Sequence, residues 1–199
     1  MGHDVMDEAF WDDMYRETTR KWSGKPNPQL VAEVTDLKPG TALDVGCGEG
    51  ADAIWLAEHG WQVTGADVSR VALERAAEHS DEVKWLYLDL TKETAPDKYD
   101  LVTAHYVHLR PKVDMELVYR RIAEAVAPGG TLLIVGHDKQ ETHRHEIDVP
   151  DDIFFDAEDI TSLLAPDEWG IEVAETRKLA NPDHRMYDFV FKASRVKPR

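Results

Sequence analysis

Residues 41–69, TALDVGCGEGADAIWLAEHGWQVTGADVS, constrain the fold of this chain more than any other stretch. Residues 41–45 form a short apolar run ending beside Asp44, the pattern of a buried strand. Gly46, Gly48 and Gly50 follow and let the backbone turn sharply and approach another group closely. Residues 51–58 continue as a helix whose first turn carries free N–H groups. A second apolar run, 61–66, returns the chain beside the same loop and delivers Asp67 there. Strand, glycine loop, helix and strand in so few residues form a βαβ unit, which requires a parallel sheet.

The rest of the chain extends this pattern. Residues 69–79 read as a helix with Ser69 as its N-cap. Residues 83–88 and 99–104 alternate as strands, the first leading to Asp89 and the second to His105, Tyr106 and His108. Residues 114–126 place Leu117, Val118, Ile122 and Val126 on one helical face, and Pro128-Gly129-Gly130 is expected to stop that helix. Residues 131–135 are continuously apolar, as in a strand covered on both faces. Segments 171–178 and 186–193 are expected to pair as final strands, after a short helix over 156–164. Ahead of the glycine unit, 7–19 and 29–37 read as helices separated by the loop WSGKPNP. The class is therefore α/β with a largely parallel sheet. At 199 residues the expectation is one domain, 1–199, with 1–28 as an N-terminal helix and lid. In such sheets ligands sit beyond the carboxyl ends of the strands, where Asp44, Asp67, Asp89, His105 and His137 all fall.

Charge and composition narrow the partners. The 39 acidic and 23 basic residues give a formal net charge of −16, which repels phosphate backbones and anionic lipid. No nucleic-acid or membrane partner is expected, and a small-molecule substrate is favoured by elimination. The N-terminus is acidic and has no apolar signal core, so a cytoplasmic location is expected. A lone cysteine, Cys47, excludes an intramolecular disulfide.

The loop itself discriminates between ligands. Its third glycine falls four residues after the first, whereas the dinucleotide fingerprint requires five. Glu49 would stand against a pyrophosphate but is compatible with a cationic ligand. A carboxylate such as Asp67 can accept two hydrogen bonds from a ribose diol.

LDVGCGEG followed by an acid after the next strand resembles the glycine motif of class I S-adenosylmethionine-dependent methyltransferases, over about residues 10–135. FWDDMY near the start is also similar to the small members related to thiopurine and tellurite methyltransferases. The resemblance implies a Rossmann-like seven-stranded, mostly parallel sheet with helices on both faces and an antiparallel last strand. It implies S-adenosylmethionine as cofactor and S-adenosylhomocysteine as product. Asp44, Gly46, Cys47, Gly48, Glu49 and Gly50 match the loop along the methionine part. Asp67 matches the ribose acid, with Val68 beside the adenine, and Asp89 with Leu90 the turn at the adenine amino group. Ala104, His105 and Tyr106 match the segment that borders both cofactor and acceptor.

Each assignment has a structural competitor. Asp67 and Asp89 are also placed to cap the helix or turn that follows them, Cys47 suits packing, and Glu49 suits an exposed loop. If the acceptor must lose a proton, His105 is the first candidate base and His137 the second, with His108 nearby. Trp11, Tyr15, Trp22, Tyr106 and His108 are the candidates for the acceptor side. His137, His143 and His145 match no common zinc spacing, and no metal is expected. Two other readings remain: a cofactor-binding protein without catalysis, and a nicotinamide-dependent oxidoreductase. The acceptor atom and the oligomeric state are not specified by the sequence.

Overall fold

The computed structural model describes residues 6–17, 24–108, 112–138, 155–178 and 187–197. Its elements, in chain order, are α1 (Glu8–Arg16), α2 (Pro28–Val34), β1 (Thr41–Val45), α3 (Ala51–Glu58), β2 (Gln62–Asp67), α4 (Arg70–His79) and β3 (Lys84–Tyr87). Then come β4 (Tyr99–His105), α5 (Lys112–Glu124), β5 (Val126–His137), α6 (Ala157–Leu163), β6 (Trp169–Lys178) and β7 (Tyr187–Arg195).

The seven strands form one sheet in the order β3-β2-β1-β4-β5-β7-β6. β1 pairs in parallel with both β2 and β4, β2 with β3, and β4 with β5. β7 runs antiparallel to β5 and to β6, between which it inserts. This is the expected Rossmann-like sheet with an antiparallel last strand. The chain winds outward from β1 to β3 and then returns to lay β4 on the other side of β1. A crevice opens at that reversal, beyond the carboxyl ends of β1 and β4.

Strand alternation sorts the core onto two faces. Leu43 and Val45 of β1, Val102 and Ala104 of β4 and Ile134 of β5 pack with Met115, Val118 and Ile122 of α5 and Ile160 of α6. Ala42, Leu101, Leu133, Val135 and Val190 pack on the other face with Leu30 and Val34 of α2 and Ala53 and Leu56 of α3. The same period of two carries Asp44, Thr103, His105, His137 and Asp188 onto the α3 face, where the strands end.

Several boundaries differ from expectation. β5 begins at Val126, so Pro128-Gly129-Gly130 lies inside the strand rather than beyond a helix end. Val126 pairs with Tyr99, the register shifts before Leu101, and Gly129 takes a φ of 82° to absorb the irregularity. α2 starts one residue earlier than expected because Asn27 caps it through Gln29 N–H at 2.8 Å and Pro28 occupies its first turn.

Candidate functional site

A cavity of about 810 Å³ opens at the crevice. Its wall includes Gly46, Cys47, Gly48 and Glu49 of the glycine loop, Asp67 and Val68 after β2, and Asp89 and Leu90 after β3. His105, Tyr106 and His108 after β4, His137 at the end of β5, and Trp11 and Tyr15 of α1 complete the expected set on this wall. Trp22, and with it His143 and His145, lie outside the described residues.

The loop is held by its own backbone. Gly46 and Cys47 donate N–H bonds to Ala66 O at 2.8 and 3.1 Å, and Gly46, Gly48 and Gly50 have φ values of 68°, 54° and 86°. A Cβ on Gly46 would stand 2.7 Å from Val107 Cγ2, so bare backbone is required where the loop meets the segment after β4.

Asp67 links the loop to α4. Its Oδ2 accepts from Gly48 N–H at 2.8 Å and its Oδ1 from Ser69 N–H at 2.7 Å. The carboxylate therefore fixes the turn into α4, whose own N-cap is Ser69, while also forming part of the cavity wall. Burial pushes its pKa up, against the lowering effect of those N–H groups. Asp89 caps its turn as well: Oδ1 takes Thr91 N–H at 2.9 Å and the Thr91 hydroxyl at 2.6 Å, and Lys92 Nζ stands 2.7 Å from Oδ2. Burial opposes its charge, but Lys92 and Thr91 hold its pKa below the usual carboxylate range.

Three expected cofactor residues are not on the wall. Asp44 is almost fully buried behind the loop, because it lies one residue inside the end of β1 and against its register neighbour Thr103, whose hydroxyl donates to Oδ1 at 2.9 Å. Ala104 points to the opposite face and joins the α5 core. Gly50 is the N-cap of α3 and packs under Trp85. Glu49 is on the wall but is drawn back into an ion pair with Arg75 of α4 at 3.1 Å. The thiol of Cys47 is pushed well above its ordinary pKa by burial and then by Asp67 and Asp44, the opposite of an activated nucleophile.

The acceptor-side residues form two groups. Tyr106, His137 and His108 make a ladder of stacked rings, with centroids 4.8 Å apart for the first pair and 5.1 Å for the second. Tyr106 has a φ of 52°, an outlier for a bulky residue, and its hydroxyl donates to the buried Asp188 at 2.8 Å. The second group joins His105, the expected base, to Asp52, which was not expected from the sequence. His105 Nδ1 lies 2.6 Å from Asp52 Oδ2, and Asp52 Oδ1 accepts from Asn27 N–H at 2.6 Å. Asp44, Asp52 and His105 each bring one polar atom within 4.8 Å of the others. Burial raises the pKa of Asp44 to about 7, Asp52 adds to the rise, and His105 and Thr103 work against it. Asp52 was readable only as an acid in the first turn of α3, where it is favourable on its own account.

A family model described as a methyltransferase domain matches residues 42–130. Ribosomal RNA small subunit methyltransferase C of Alcanivorax borkumensis is 36% identical over 107 residues, covering 50% of this chain and 33% of that protein. The 2-heptyl-1-hydroxyquinolin-4(1H)-one methyltransferase of Mycobacteroides abscessus is 30% identical over 127 residues, covering 59% of this chain and 56% of that protein. The chain thus spans from a third to just over half the length of these two curated relatives. The solved N-methyltransferase NodS from Bradyrhizobium japonicum WM9, in complex with S-adenosyl-L-homocysteine, superposes with a TM-score of 0.72 at 18% identity. That match covers 92% of this chain and 97% of the other, a likeness of fold. Glycine loop, sheet order and matched segment agree: residues 42–130 are similar to a methyltransferase domain, and they stand on the sheet that the resemblance to class I S-adenosylmethionine-dependent methyltransferases implied.

Proposed function

We propose that this chain transfers a methyl group from S-adenosylmethionine to a small-molecule acceptor. The observation that carries the reading is Asp67, which is locked onto Gly48 and Ser69 and stands on the wall of a cavity opening at the β1–β4 reversal. The residues present suit the cofactor. The loop from Gly46 to Gly48 offers bare backbone to its methionine part, and Asp67 keeps lone pairs for the ribose hydroxyls. Asp89 and Leu90, on the same wall, are the residues we assign to the adenine. The cavity volume lies toward the upper part of the range typical of small-molecule sites, about 300–1,000 Å³, and leaves room for a second small molecule.

When bound, the cofactor supplies an electrophilic methyl group on a sulfonium. The protein's part is alignment and exclusion of water. Tyr106, His108 and His137 present rings on the acceptor side, and Trp11 and Tyr15 present α1 to the same space. One relative's printed name refers to ribosomal RNA, but the net charge of −16 on this chain opposes a polyanion and supports a small acceptor. No helix among the described residues is long and apolar enough to cross a membrane. A cytoplasmic location is part of this proposal, and the single cysteine is compatible with it.

Calorimetric titration with S-adenosylmethionine and S-adenosylhomocysteine tests the reading. Binding is expected for the wild type, with a loss of at least about 100-fold for Asp67→Ala, which removes two ribose contacts at about 1.4 kcal/mol per tenfold. Absence of binding at millimolar ligand would sink it.

A further inference from the structure

We propose that Asp52 and His105 form a proton-accepting dyad, so that the acceptor is one whose nucleophilic atom carries a proton: a hydroxyl, a thiol or an N–H. This rests on the methyl-transfer reading and names the acceptor class for it. The geometry is specific. A carboxylate only accepts hydrogen bonds, so the 2.6 Å contact with Asp52 Oδ2 puts a proton on His105 Nδ1. In the neutral ring the lone pair is then on Nε2. That atom is buried and has no hydrogen-bond partner among the described residues, although the ring belongs to the cavity wall. Buried polar atoms in folded proteins nearly always have a partner, and a proton donor on a bound acceptor supplies one here.

Asp52 is itself fixed. Its other oxygen takes Asn27 N–H at 2.6 Å, and Asn27 is immobilised as the N-cap of α2. Asp52 touches no substrate in this scheme and is a positioning residue, while His105 is the catalytic one. As the new bond forms between the acceptor atom and the methyl carbon, the carbon–sulfur bond breaks and its electron pair stays on sulfur. The pair of the acceptor's X–H bond stays on X, and the proton passes to Nε2. The imidazolium so formed lies against Asp52 and later gives its proton to water. Carboxylates act on this ring from three elements: Asp52 of α3, Asp44 of β1 and Asp188 of β7. Burial opposes the imidazolium, but these three outweigh it and raise the ring's basicity. The base must start neutral, so turnover of a proton-bearing acceptor rises with pH through a value above the ordinary histidine pKa of about 6.5.

Two measurements on the full chain test this. In nitrogen-15 spectra of histidine-labelled protein, His105 is expected as the Nδ1–H tautomer. Its titration point should fall by about one pH unit or more in Asp52→Asn, the usual effect of removing an adjacent charge. A predominant Nε2–H tautomer, or a titration point indifferent to Asp52→Asn, overturns the dyad. In parallel, methyl transfer is measured to catechol and 2-mercaptoethanol, which carry a proton, and to iodide, which does not. The rate ratio of proton-bearing probe to iodide should fall about 10²–10⁴-fold in His105→Gln and at least about tenfold in Asp52→Asn, in kcat rather than KM. An unchanged ratio, or wild-type methylation of iodide alone, overturns the proposal. Failure of the wild type to bind S-adenosylmethionine by calorimetry would instead remove the methyl-transfer reading and leave the tautomer result standing.

Discussion

Asp12 and Ser69, on α1 and at the start of α4, are joined by a 2.6 Å hydrogen bond from the Ser69 hydroxyl to Asp12 Oδ1. The same carboxylate oxygen takes Val71 N–H at 3.2 Å, and Ser69 Oγ accepts from Ala72 N–H at 3.1 Å. A buried acid from one helix therefore sits at the positive end of another. Glu8 reinforces the contact through Arg70 at 3.1 Å and the Tyr87 hydroxyl at 2.8 Å, and Arg70 lies over the Tyr87 ring. The consequence is that α1, with Trp11 and Tyr15, is held against the cavity beside Asp67.

Asp12→Ala should free α1. Loss of a charged acceptor for two donors is expected to lower stability by about 1–3 kcal/mol in urea unfolding. Amide exchange in residues 8–16 should rise while β1 and β4 stay protected. Unchanged exchange in α1 would mean that Glu8 and apolar packing hold the helix without Asp12.

Gly50→Ala should be destabilising without touching the cavity wall. Gly50 has a φ of 86°, and a Cβ there would stand 2.5 Å from Trp85 Cη2 and 3.2 Å from Ala76 Cβ. Backbone strain plus overpacking is expected to cost about 2–4 kcal/mol. Adding Trp85→Leu should recover only part of this, since the space is restored and the φ is not. Full recovery would show that packing, not conformation, makes glycine necessary there.

These two sites show how much of the molecule was legible in the sequence. The glycine loop, Ser69 as N-cap and the strands of residues 41–104 follow from local chemistry: turn residues, a capping hydroxyl and apolar alternation. Asp67, Asp89, His105 and His137 reached the cavity because strand ends in a parallel sheet share one rim. What was not legible depends on side chains meeting across the fold. Asp52 acts through Asn27, 25 residues before it, and His105, 53 residues after it. Asp44 looked equivalent to Asp67, yet it lies one residue inside the end of β1 and is held by Thr103, whereas Asp67 is the last residue of β2 and reaches the cavity. The start of β5 was misplaced because Pro-Gly-Gly also ends helices, and only pairing with Tyr99 decides between the two.

Tyr106→Phe separates ring from hydroxyl. The ring stacks on His137 and should stay, but the 2.8 Å bond to buried Asp188 is lost. A hydrogen bond to a charged group contributes about 1.5–3 kcal/mol, so thermal unfolding should shift down accordingly while cofactor affinity stays within about twofold. A large loss of cofactor affinity would place the hydroxyl in the binding site rather than in the scaffold.

Asp44→Asn should stabilise the protein at alkaline pH. Burial, reinforced by Asp52, raises the Asp44 pKa to about 7, against an ordinary value of 3.8. A carboxyl raised in the folded state binds its proton more tightly there than in the unfolded chain. Its favourable contribution is complete below about pH 4 and is lost as pH rises through about 7. His105 works in the same direction: its raised pKa contributes fully below the unfolded value and is lost as pH climbs past the folded one. Asparagine keeps the shape and the bond from Thr103 but has no charge to bury, and it also removes one carboxylate that raises His105. The variant should match the wild type near pH 4 and exceed it at pH 8 by a few kcal/mol, on the order of 2–4. Urea unfolding of both proteins between pH 4 and pH 8 measures this as a difference, so the opposite trend from Asp89, whose pKa is lowered, cancels. Parallel profiles would mean that Asp44 is ionised throughout, its charge met by the His105 imidazolium rather than by a proton of its own.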